Sequence, residues 1–153
     1  MWVPPEDVDP IVFHAPTRKS VGVFGAVRAE DGRLVTRKEE RFCAMTFLAF
    51  LKQLVRHRRH GRTMLVVVDN ACWHRARLLR PWLDEHRAVL RLDYLPPYSP
   101  DLNNIERVWK LVRRLCTHNR YFPLLEQLIH TVFQQFGVWS QPNEDLRRLC
   151  AVI

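Results

Sequence analysis

Five apolar residues, Met64 to Val68, run without a polar break and stop at Asp69 in "MLVVVDNACWH". An unbroken apolar run of strand length is the pattern of a strand buried on both faces, as in sheets covered by helices. A carboxylate at the end of such a strand stands where open α/β sheets collect ligands, with its backbone anchored and its side chain free. A plainer reading is that Asp69 and Asn70 cap the helix that follows. Either way, this run favours a layered α/β chain.

The flanking patterns agree. "SVGVFGAVRAEDGRLVTRKEERF" predicts a hairpin, with alternating residues from Val21 to Val27 and a turn at Asp31-Gly32. Phe47, Leu48, Leu51, Leu54 and Val55 recur at helical spacing, predicting a helix over about 44–58 that ends in the basic run "RHRRHGR" and Gly61. A helix over about 75–87 follows, which Pro81 either kinks or starts later, and then the strand "AVLRLDYLP". Two further helices are predicted over about 103–118 and about 123–136, the first with Ile105, Val108, Trp109, Val112 and Leu115 on one face. The end, "GVWSQPNEDLRRLCAVI", reads as a loop with a short helix. Strands and helices in this order make an α/β protein with a mixed sheet.

The segment "LPPYSPDLNNIERVWK" stiffens the backbone with prolines before delivering Glu106 in a helix's first turn. With Asn103 as N-cap, Glu106 completes an N-x-x-E capping box. It also lies beside the apolar stripe, on an edge shared with Lys110 and Arg113, from which it could reach toward Asp69. Two acids from separate elements suit hard divalent cations, which take carboxylate oxygens and keep several waters. Such ions, as a pair about 3.5–4 Å apart, serve phosphodiester cleavage. His74 could touch a phosphate or a metal-bound water, and equally be a polar residue in a first helical turn. Cys72 with His74 is too sparse for zinc, and Trp73, Trp82 and Trp109 are assigned to packing.

Charge points the same way. Lys and Arg number 24 against 16 Asp and Glu, a net charge of +8. Arginine forks suit phosphate oxygens, so the charge favours a polyanionic partner, nucleic acid first. The run "RHRRHGR" reads first as a solvated helix end rather than a base-reading device, and could still help hold DNA through phosphates without reading sequence. No run approaches the roughly 18 apolar residues of a membrane helix. The start, "MWVPPEDVDP", lacks the basic and apolar regions of a secretory signal. Four scattered cysteines suit free thiols in a reducing cytoplasm.

"MLVVVDNACWH", "LDYLPPYSPDLNNIERVWK" and "THNRYF" resemble the second and third acidic motifs, and the segment after them, of bacterial insertion-sequence transposases. These are the DDE-type enzymes of the insertion sequence 630 family, related to the mariner superfamily. "SVGVFGAV" and its hairpin are similar to the family's early strands. Asn104 stands where the family commonly has proline. The resemblance implies a ribonuclease-H-like mixed sheet flanked by helices. It implies one catalytic domain over 1–140, with a short carboxyl-terminal extension over 141–153. It also implies Asp69 and Glu106 as catalytic and metal-holding acids; beside them, Asn70 and His74 are candidate accessory residues, and Lys110, Arg113 and Arg114 candidate DNA-phosphate contacts.

The implied cofactor is Mg²⁺ or Mn²⁺, two ions in the family's site. The implied partners are double-stranded DNA at transposon ends and target, together with a second copy or a full-length transposase. The reaction that the resemblance implies is DNA nicking followed by attack of the freed 3′ hydroxyl on target DNA, with the cytoplasm at the nucleoid as its expected place. The family's first catalytic aspartate lies on a first, central strand upstream of the segment that "WVPPE" resembles. That strand is expected to be lacking here, and Asp7 and Asp9 are poor replacements for its acid. The alternative is a non-catalytic DNA-binding or regulatory fragment that pairs with a full-length transposase.

Overall fold

The computed structural model describes residues 20–151 in full and residues 11–14 by their backbone. Asp7, Asp9 and "WVPPE" lie outside the described residues. The chain divides into two compact units, Arg41–Asn103 on the one hand and Met1–Glu40 with Asn104–Ile153 on the other.

The second of these carries β1 (Ile11–His14), β2 (Ser20–Val27) and β3 (Leu34–Glu39), antiparallel in the order β1-β2-β3. The predicted hairpin is present, with Val23 opposite Lys38 and Val27 opposite Leu34. Gly32 sits at φ 74 in its turn, the left-handed conformation that glycine adopts without steric cost. Asp31 secures that turn by accepting from the Arg33 N–H at 3.1 Å.

Helices α3 (Asn104–Val112), α4 (Leu125–Trp139) and α5 (Glu144–Ala151) complete the unit. Their apolar faces and the hairpin make one core that includes Val23, Leu34, Val108, Trp109, Val132, Phe136 and Leu146. Trp109 is fully buried, with its ring 5.9 Å from that of Phe136. Gly25 lies directly against the Trp109 ring, and a Cβ at that position would collide with it. The carboxyl-terminal helix belongs to this core. Leu146 is fully buried, Asn143 donates to the Gly32 carbonyl at 2.8 Å, and Arg107 donates to the Leu149 carbonyl at 3.2 Å.

The predicted 103–118 helix is α-helical only to Val112. Arg113–Thr117 is a π turn, in which the His118 N–H bonds the Arg113 carbonyl at 2.8 Å. A π turn spaces residues more widely than 3.6 per turn. It therefore rotates Leu115, expected on the buried stripe, out to 48% exposure and turns Cys116 inward.

The Arg41–Asn103 unit carries α1 (Ala44–Arg56), β4 (Met64–Val68), α2 (Arg80–Glu85) and β5 (Leu90–Tyr94). Strands β4 and β5 are parallel, Met64 pairing with Leu90 and Val68 with Tyr94. The crossover from β4 to β5 runs through two short 3₁₀ turns, Cys72–Arg75 and Arg77–Leu79, before α2. Pro81 opens α2, where its missing N–H has no cost. Helix α1 packs on the two turns, with Phe47, Phe50, Leu51 and Leu54 buried.

Strand β4 corrects the expectation of burial on both faces. Leu65 is 61% and Val67 48% exposed, while Val68 is buried. In β5 their pairing partners are Arg91 and Asp93, charged residues that place this face toward solvent. Among the described residues β4 has one strand partner, β5. No described helix is long and apolar enough to cross a membrane.

Candidate active site

The run Met64–Val68 ends in the sheet, and Asp69 is the first residue beyond it. Its Oδ1 accepts two hydrogen bonds, from the Ala71 N–H at 3.0 Å and from His74 Nδ1 at 2.8 Å. The capping reading is therefore partly right, because the Ala71 contact closes a local Asx turn. Among the described residues nothing is bonded to Oδ2, and the side chain keeps 29% of its surface exposed. One oxygen is clasped, and the side chain as a whole stays part-exposed.

His74 is nearly fully buried. Its Nδ1 lies 2.8 Å from Asp69 Oδ1 and 3.2 Å from the Asp69 carbonyl. Both are acceptors, so Nδ1 carries the proton. The ring is held by Phe47 at 4.4 Å and by the edge of Trp73 at 6.0 Å. Tyr94 fixes the same turn from β5 through its hydroxyl, which donates to the His74 carbonyl at 2.8 Å.

Asn70 joins the two strand ends. Its Nδ2 donates to the Leu95 carbonyl at 2.8 Å, and its Oδ1 accepts from Arg75 Nη2 at 2.6 Å. The Arg75 guanidinium in turn lies 4.1 Å above the Tyr94 ring. Arg75, Tyr94 and Phe47 were not singled out by motif. Their roles depend on tertiary neighbours that local sequence does not report.

Burial pushes the Asp69 carboxyl up. The hydrogen bonds from His74 and Ala71 and the His74 charge outweigh it, holding the group below its ordinary value of 3.8. Asp69 is thus ionised at neutral pH. A carboxyl whose folded value is depressed contributes stability above the unfolded value and loses it as pH falls through the folded one. His74→Ala is expected to raise the Asp69 value and move this loss to higher pH. Carboxyl-carbon NMR titration would read it, and an unmoved Asp69 would refute the clasp as its cause.

Glu106 lies in the other unit, in the first turn of α3, where a carboxylate also complements the helix dipole. It is only 4% exposed, more deeply placed than the stripe edge expected for it, whereas Lys110, Arg113 and Arg114 are exposed. Carboxylates are rarely buried this far without compensation. The structure thus brings Asp69, Asn70 and His74 together in one unit and sets Glu106, Lys110, Arg113 and Arg114 along one helix and its π turn in the other.

The donor chemistry fits hard divalent cations in kind. An ionised, part-exposed carboxylate is the kind of ligand such ions take. Among the described residues no group of three or more His, Cys, Asp or Glu is gathered for a metal.

Residues 1–129 match the model of the family described as DDE superfamily endonuclease. The chain is 30% identical over 108 residues to the insertion element IS630 uncharacterized 39 kDa protein of Shigella sonnei. That match covers 71% of this chain and 31% of that protein, so the chain spans less than a third of the relative's length.

Among solved structures it is similar to the catalytic domain of Mos1 mariner transposase, with a TM-score of 0.69 at 18% identity, over 93% of this chain and 72% of that one. The Mos1 strand transfer complex gives a TM-score of 0.63 at 20% identity, over 98% and 44%. The simian T-cell lymphotropic virus intasome in complex with PP2A regulatory subunit B56 gamma gives 0.60 at 16%, over 82% and 45%. At these identities the likeness is one of fold, and that fold is ribonuclease-H-like. The acidic motifs, the fold and the family match converge: the chain belongs to the DDE superfamily endonucleases, with an insertion-element protein as its relative.

Proposed function

We propose that this chain is catalytic-domain sequence of a DNA transposase, acting in strand cleavage and strand transfer by metal-assisted phosphoryl transfer. The observation that carries the reading is Asp69, held just beyond the carboxyl end of β4 through one oxygen and ionised, with its side chain part-exposed. Bound Mg²⁺ or Mn²⁺ would supply charge neutralisation to the attacking and leaving oxygens.

The chain's own residues do the rest. Asp69 and Glu106 are the ligands assigned to the ions. His74 fixes the Asp69 rotamer, and Asn70 ties the loops after β4 and β5 together. Lys110, Arg113 and Arg114 are exposed cations suited to DNA phosphates, which they would position without reading bases. A third carboxylate completes the acid set in this reading.

The test is nicking of supercoiled plasmid in Mg²⁺ or Mn²⁺. It would use the chain alone and the chain co-expressed with an upstream transposase segment carrying the first acid. The expected result is nicking in the completed preparation that a chelator abolishes. Salt-dependent DNA binding without nicking in either preparation would instead support a non-catalytic fragment that pairs with a full-length transposase.

A further inference from the structure

Tyr98 combines two properties that local stability does not explain. It has φ 56, in the left-handed region that a bulky side chain rarely enters, and its side chain is fully exposed, at 102%. A solvated ring gains nothing from packing, so nothing on its own side chain offsets the backbone strain. Strain of this kind persists where surrounding structure imposes it, and such sites cluster at ligand contacts.

The surroundings do impose it. Pro96 and Pro97 precede Tyr98, and Pro100 follows after Ser99. At one end the Leu95 N–H bonds the Val68 carbonyl at 2.8 Å, and the Leu95 carbonyl accepts from Asn70 at 2.8 Å. At the other end Pro100–Leu102 is a 3₁₀ turn, closed by the Asn103 N–H on the Pro100 carbonyl at 3.0 Å. The ring is therefore presented from a braced loop. Its base is Leu95, which Asn70, the residue after Asp69, holds directly.

We propose that Tyr98 is a stacking platform for an unpaired nucleobase beside the Asp69 site. The proposal rests on the reading of the protein as a DNA-processing domain. An aromatic face takes any base, provided that base is out of the duplex stack. The unit that carries Tyr98 has eleven Lys and Arg against five Asp and Glu, a surplus that suits a polyanion better than an apolar protein partner. Tyrosine also keeps its ring accessible without ordering a long side chain on binding.

The experiment compares the chain's affinity, by fluorescence anisotropy at one low salt concentration, for a blunt duplex and the same duplex with three unpaired terminal nucleotides. Wild type is expected to prefer the frayed duplex by about five-fold or more, the low end for one stacked base. Tyr98→Ala loses that preference while keeping the blunt-duplex affinity, and Tyr98→Phe retains it. Tyr98→Gly, which the left-handed backbone favours, must lose the preference while melting no lower than wild type.

Equal affinity of wild type for the two duplexes, or equal loss on both with Tyr98→Ala, overturns the stacking assignment and leaves the DNA reading intact. A preference that survives in Tyr98→Ala and Tyr98→Gly overturns it as well. No binding of wild type to either duplex overturns both.

Discussion

Replacing Asp69 by alanine is expected to bring metal-dependent nicking down to the metal-free background, in whichever preparation nicks. The carboxylate follows directly on the last residue of β4, so the strand anchors the backbone on one side of it. Its rotamer is set by His74 and Ala71, and it is charged at neutral pH. The adjacent Asn70 is not free to replace it, because its amide is committed to Leu95 and Arg75. Loss of one preorganised electrostatic group costs about 10²–10³ in rate, and loss of an ion ligand should cost at least that. His74→Ala should cost less, since it frees the rotamer and leaves the charge. Nicking by Asp69→Ala within ten-fold of wild type would remove this carboxylate from the mechanism.

The largest stability effect is expected at Trp109. Its ring is fully buried, Gly25 has no side chain because the ring occupies that space, and Phe136 packs against it. Trp109→Ala leaves a cavity that the hairpin and α4 cannot both collapse into, at a cost of about 3–5 kcal/mol. Against the roughly 5–15 kcal/mol that holds a domain together, that is enough to unfold this unit or nearly so. Urea unfolding followed by far-UV circular dichroism would measure it. A loss below about 1 kcal/mol would show that the Trp109 pocket is not tightly packed.

Much of this was legible in the sequence, for physical reasons. Asp31-Gly32 specifies a turn by its φ requirement, and the Val21–Val27 alternation specifies which residues face the core. The helical spacing of Leu51 and Leu54, or of Val108, Trp109 and Val112, marks buried faces. Where reading failed, the deciding contact was tertiary. The apolar run Met64–Val68 suggests two covered faces, yet pairing of Leu65 with Arg91 and Val67 with Asp93 turns one face to solvent. The π turn at Arg113–Thr117 altered the period and expelled Leu115.

At the site, the motif around Asp69 was visible. The clasp by His74, the Asn70–Arg75–Tyr94 brace and the strained backbone of Tyr98 were not. Those depend on where β5 and α1 return in space. The prolines around Tyr98 did signal a stiff loop, though not the sign of its φ.

In the proposed function, Asp69 and Glu106 serve the same bound ions. Calorimetric titration of Mn²⁺ into wild type, Asp69→Ala, Glu106→Ala and the double variant tests it most directly. Groups that share a ligand are non-additive, so each single substitution should remove nearly all the binding that the double one removes. Additive losses, or full Mn²⁺ affinity after removal of either carboxylate, would contradict it.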